Sequence, residues 1–71
     1  MTYKVYRLHK PKMPEVEVSQ ALGLNPTTMY GGLYRKADMI GTVENGLLSI
    51  KEKFIEPALV KKILRIATPL P

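Results

Sequence analysis

The chain opens on an alternation. In TYKVYRLH, Tyr3 and Val5 fall on one side and Lys4, Tyr6 and Leu8 on the other, a period of two in a stretch rich in β-formers, which predicts a short strand. KPKMP ends it, because Pro11 and Pro14 lack amide donors and restrict the residues before them. Beyond Pro14 the period changes. Val18, Ala21 and Leu22, with Val16 beside them, recur at helical spacing, and Glu15 and Glu17 occupy the first turn, where the helix dipole favours acids. A helix is therefore predicted over 15–22, stopped by Gly23 in a left-handed conformation.

Asn25 followed by Pro26 predicts a second helix start, with Asn capping free amides and Pro at a position that loses no hydrogen bond. This helix is expected to run through Met29 and Leu33 toward Lys36 or Ala37, weakened by Gly31 and Gly32 by about 1 kcal/mol each relative to Ala. In MIGTVENGLLSI, β-formers flank Asn45-Gly46, a strong hairpin signal, so strands are expected near 39–43 and 47–50. EPALVKKILRIA then places Leu59, Val60, Ile63, Leu64, Ile66 and Ala67 on a broad apolar helical face, with Lys61, Lys62 and Arg65 on the other side. The closing TPLP cannot extend that helix, so 1–67 is expected to form one domain and 68–71 a frayed tail.

Composition narrows the function classes. A chain of 71 residues makes one domain that buries only about 60% of its unfolded surface, too small to enclose a large active-site cavity. With one Phe and no Trp, aliphatic residues must build the core. No Cys and a single His remove disulfides, thiolate zinc sites and Cys nucleophiles. Short apolar runs and an opening unlike a leader predict a soluble, cytoplasmic protein. Eleven Lys and Arg against six Asp and Glu give +5, a surplus that favours a polyanionic partner. Lys4, Arg7, Lys10 and Lys12 precede every acid, Arg35 and Lys36 follow mid-chain, and Lys61, Lys62 and Arg65 lie near the end. Solubilising surface charge is the plainer reading of the same residues.

The order strand, helix, tight turn, helix, hairpin, helix is that of a small α+β winged helix-turn-helix. VSQALGLNPTTMYGGL resembles the helix-turn-helix of bacterial regulators, above all the tetracycline-repressor family, and GTVENGLLSIKEKFIEPALVKKIL is similar in arrangement to the wing and closing helix of phage excisionases and mercury-resistance-type regulators. In such a motif Val18 and Leu22 pack the first helix, Ser19 allows close crossing, and Leu24, Met29 and Leu33 pin the second. The resemblance implies duplex-DNA binding by helix and wing, often as cooperating copies, in control of transcription or recombination. Thr27, Thr28, Tyr30 and Arg35 would meet the major groove and its phosphates, joined by Lys36 and by Asn45 on the wing. Lys4, Arg7, Lys10 and Lys12 would add sequence-independent affinity.

Other readings stand beside this one. The two helices also suit an ordinary αα-corner, the glycine pair suits close packing of Tyr3, Tyr6 or the hairpin over the second helix, and Tyr30 and Tyr34, four apart, suit a half-buried flank. The alternative function is a small phage-type regulator that binds a host protein such as RNA polymerase, or a second copy of itself. Tyr3, Tyr6, Ile63 and Ile66 would be its anchors, with Leu70 beside them. His9 has no partner at metal-ligand spacing and reads as an exposed or phosphate-contacting residue; Glu15 and Glu17 do not converge on a helix. Neither a metal, a cofactor nor enzymatic chemistry is expected.

Overall fold

The first alternation folds as a strand, and the register decides which of its faces is interior. In the computed structural model, which describes residues 2–24 and 32–71, Tyr3–Leu8 forms β1. It pairs antiparallel with Leu47–Lys51 (β4), setting Tyr6 opposite Leu48, Val5 opposite Ser49 and Lys4 opposite Ile50. Tyr6 and Leu8 are buried beside Leu48 and Ile50 in the core. Tyr6 is thus an interior residue, and the expectation that it anchors a partner is overturned. Burial pushes its phenol above the ordinary value of 10.0. The unfolded chain releases this proton first, so Tyr6 contributes stability that is full below about pH 10 and is lost as pH rises further. Urea midpoints measured between about pH 8 and pH 11 should fall for the native protein and fall less steeply for Tyr6→Phe.

Asp38–Glu44 (β3) and β4 form the expected hairpin, closed by Asn45 (φ 52) and Gly46 (φ 80), the paired left-handed residues of a type I′ turn. The hairpin is not a projecting wing. Both its strands are internal to a five-stranded antiparallel sheet, and its tip lodges against Pro11, whose Cβ lies 3.2 Å from where a side chain on Gly46 would begin.

The predicted second helix is corrected over its last turn. Leu33–Arg35 is a strand, β2, which folds back on β3 through a turn at Lys36 (φ 58) and Ala37. Gly32 sets this course, since at φ 89 it leaves helical space altogether. Edge pairing to β3 then satisfies backbone groups that a glycine-weakened helix would satisfy less well. Leu33 is fully buried, as expected of a pinning residue, but from a strand. Tyr34 accordingly loses the helical spacing that would have set it on a face with Tyr30. Residues 25–31, and with them Thr27, Thr28, Met29, Tyr30 and Gly31, lie outside the described residues. At Gly32 an added Cβ would meet Met39 Sδ at 3.1 Å and the Gly41 carbonyl oxygen at 3.2 Å. Gly32→Ala should therefore destabilise the fold by about 1 kcal/mol or more, read as a lower denaturation midpoint, where a helical glycine would have gained from the change.

Glu15–Leu22 (α1) ends at Gly23 in the left-handed conformation, as read. Its buried Val18, Ser19 and Leu22 pack against Pro57–Ile66 (α2) and β2. Lys62 supplies what α1 lacks, a cation in its last turn: Nζ stands 3.1 Å from the point where a Cβ on Gly23 would sit, over the negative end of the helix. In α2, Pro57 opens the helix and Leu59 and Ile63 face the core, so Ile63, like Tyr6, is not a free anchor. The chain beyond α2 does not fray at Thr68. Ala67–Pro69 forms β5 along β1, with Thr68 opposite Arg7, and the Leu70 amide donates to the Val5 carbonyl at 3.1 Å. By alternation the missing donor of Pro69 points away from β1, where an edge strand tolerates it.

The result is a small α+β fold with strand order β2-β3-β4-β1-β5 and α1 and α2 over the sheet face that carries Tyr6, Leu8, Leu48 and Ile50. Its order of strands and helices differs from that expected of a winged helix-turn-helix. Among the described residues no helix is long and apolar enough to cross a membrane.

Candidate nucleic-acid interface

Antiparallel pairing brings the end of β1, the start of β4 and the start of β5 to one end of the sheet, together with the last turn of α2. There the His9 amide donates to the Ile66 carbonyl at 2.8 Å, and His9 Nε2 shares a hydrogen bond of 2.9 Å with Thr68 Oγ1. These two bonds tie the loop after β1 to the α2–β5 junction. Beside them lies a hollow of about 200 Å³ with Met13 and Ile66 as its apolar lining and His9, Lys10 and Arg65 as its polar one. Lys12 follows in the same loop, and Pro11 holds the Asn45–Gly46 turn close by. Arg7 adjoins from β1, opposite Leu47 on one side and Thr68 on the other. Four basic residues, Arg7, Lys10, Lys12 and Arg65, thus gather at one end, all solvent-exposed. Charges in water contribute little to stability, so the main physical consequence of the cluster is a local excess of positive potential. Arg65 has a structural role as well, since it closes the last turn of α2, where a cation suits the helix dipole.

The opposite end carries five cations and mixes them with three acids, whereas Glu44 adjoins the basic end from β3. Arg35 and Lys36 stand at the β2–β3 turn, Lys51 ends β4 and Lys53 lies in the 3₁₀ turn Glu52–Phe54. Asp38, Glu52 and Glu56 are interspersed, and Arg35 Nη2 lies 3.7 Å from Glu56 Oε1. Lys4 sits on β1 beside Ile50, toward this same end. The residues expected to contact DNA are therefore divided: Arg7, Lys10, Lys12 and Asn45 share one end, while Lys4, Arg35 and Lys36 belong to the other. No family model, curated protein or solved structure matches this chain.

Arg65 is the residue that reading along the chain left out of the site. It joins Lys10 only because β5 pairs with β1, and the prolines of TPLP gave no sign of that strand. Glu15 has a second role beside that of a dipole partner: its carboxylate accepts a hydrogen bond from the Gly32 amide, tying the entry of β2 to the start of α1. Of the expected partner anchors, Tyr3 is exposed on β1 and Ile66 is half-buried in the hollow, while Tyr6 and Ile63 are interior.

The sheet face away from the helices completes the picture. Register places Arg7 beside Leu47 and Thr68, Val5 beside Ser49, Tyr3 beside Lys51, and Thr42 beyond Ser49 on β3. No described helix covers this face, and Tyr3 and Leu47 remain 40% and 37% exposed.

Proposed function

We propose that this protein is a small DNA-binding regulator, acting in transcription or recombination without catalysis, that holds duplex DNA through the end of the sheet formed by Arg7, Lys10, Lys12 and Arg65. The observation that carries the proposal is the meeting of Lys10 and Arg65, from opposite ends of the chain, around one hollow beside Lys12 and Arg7. Four cations, none in an ion pair among the described residues and with Glu44 as the neighbouring acid on β3, suit a phosphate backbone, which carries a negative charge about every 1.7 Å along the duplex axis. At the other end Asp38, Glu52 and Glu56 lie among the cations and Glu56 is paired with Arg35, so less of the positive charge there is left unanswered. The loop 9–14 and the hairpin turn, rather than a helix inserted in the groove, form the contact.

The test is a fluorescence-anisotropy titration of the full chain against labelled duplex DNA as salt is raised. With roughly three to four phosphate contacts, affinity should fall by about 40- to 150-fold between 50 and 200 mM salt. Binding that stays flat across that range, or no binding at 50 mM, counts against the proposal.

A further inference from the structure

We propose that the helix-free face of the sheet is a platform for a single-stranded nucleic-acid segment. The proposal rests on the reading of the protein as a nucleic-acid binder and adds a second surface and a second form of ligand to it. The register fixes this face as a small grid. Thr68, Arg7, Leu47 and Glu44 form one row across β5, β1, β4 and β3; Val5, Ser49 and Thr42 form the next; Tyr3 and Lys51 form the third. Apolar side chains able to support a base, Tyr3 and Leu47, thus stand beside the cations Lys51 and Arg7 and among the hydroxyls of Thr68, Ser49 and Thr42, with the acid Glu44 at the β3 end of the first row. Antiparallel sheets commonly leave one face to solvent, but such a face is ordinarily polar throughout. Here an exposed tyrosine and an exposed leucine each stand directly beside a cation.

The shape selects the ligand. The duplex major groove admits a helix or a two-stranded ribbon, not the breadth of a multi-stranded sheet, and its bases are already stacked. A single strand can turn its bases onto the sheet, stack them on aromatic and aliphatic side chains, and leave its phosphates to flanking cations. The row through Arg7 and Thr68 also meets the basic end, because Thr68 is hydrogen-bonded to His9. A strand leaving the platform therefore arrives at Lys10 and Arg65, so the two surfaces are continuous.

The experiment titrates the full chain with a ten-nucleotide dT oligomer and with a duplex of the same length, following amide shifts and anisotropy in low salt. Tyr3→Leu keeps an apolar side chain and removes the aromatic ring; Lys51→Gln removes the adjoining charge without touching the basic end. The dT oligomer should shift the amides of Tyr3, Val5, Ser49 and Lys51. Tyr3→Leu should weaken dT binding about tenfold and Lys51→Gln several-fold, while duplex affinity stays within twofold in both. If dT binds but shifts only 9–12 and 65–68, and neither variant weakens it, the platform is overturned and the basic-end reading stands. Failure of both dT and duplex to bind overturns the reading itself. Concentration-dependent shifts on this face without DNA, and none from dT, would make it a contact between copies and also overturn the proposal.

Discussion

Gly41→Ala should be the most damaging single-methyl change among the glycines with described surroundings. A Cβ built on Gly41 lands within contact distance of the Ser49 carbonyl oxygen and 2.8 Å from Ile50 Cδ1. The isoleucine tip can rotate, but the carbonyl belongs to the β3–β4 ladder, where Gly41 pairs with Ile50 and Thr42 with Ser49. Making room means parting the two central strands or tilting a peptide out of register. Beside it β3 carries one residue more than β2, because Leu33 pairs with Gly41 and Tyr34 with Met39. That bulge turns Ile40 into the core next to Gly41 and leaves the segment little freedom to adjust. Overpacking of this kind typically costs about 1–3 kcal/mol, a large share of the roughly 5–15 kcal/mol that holds small domains together. Chemical denaturation should show a clear fall in midpoint at unchanged slope, or a protein that no longer folds cooperatively. A midpoint equal to the native one would mean that β3 and β4 do not approach this closely.

The second large effect concerns binding. Lys10→Gln, Lys12→Gln and Arg65→Gln combined should weaken duplex binding at least about 100-fold at 50 mM salt and flatten the salt dependence by a slope of about 2 to 3. All three residues are exposed, so the fold should survive the change. The control is Lys36→Gln with Lys53→Gln, which removes two charges from the acid-mixed end. If net charge alone governed binding, the control would lose affinity in proportion to its two charges. If position governs, it should stay within about twofold, and the contrast between the two variants measures how far the contact is localised.

The elements that sequence periodicity made legible are those long enough to show a period and bounded by residues with one conformational use. β1 stops at Leu8, shortly before Pro11, α1 ends at Gly23, and the central hairpin turns at Asn45-Gly46, where both residues take the left-handed conformation. α2 carries its apolar residues over enough turns for the helical face to be clear. The two three-residue strands escaped for different reasons. At β2, Leu33 fits helical spacing from Met29 as well as it fits a strand, and only Gly32 at positive φ separates the two. At β5, Ala67 continues the apolar face of α2, Thr68 and Pro69 are too few to show a period, and a proline that is harmless on a free sheet edge reads along the chain as a terminator. Alternation correctly divided Tyr3 from Tyr6, but the choice of inner face depended on β4 and on helices elsewhere in the chain. The same limit hid the site: Lys10 and Arg65 look like separate charge groups until β5 lays the end of α2 against the start of the 9–14 loop.

The central claim, that one basic end of the sheet holds duplex DNA, is tested most directly by mapping amide shifts of the full chain on adding a short duplex in low salt. The account predicts shifts concentrated at Arg7 to Lys12, at Asn45 and at Arg65 to Thr68, fading together as salt rises. Shifts concentrated instead at Leu33 to Lys36, or none at all with saturating duplex, would contradict it.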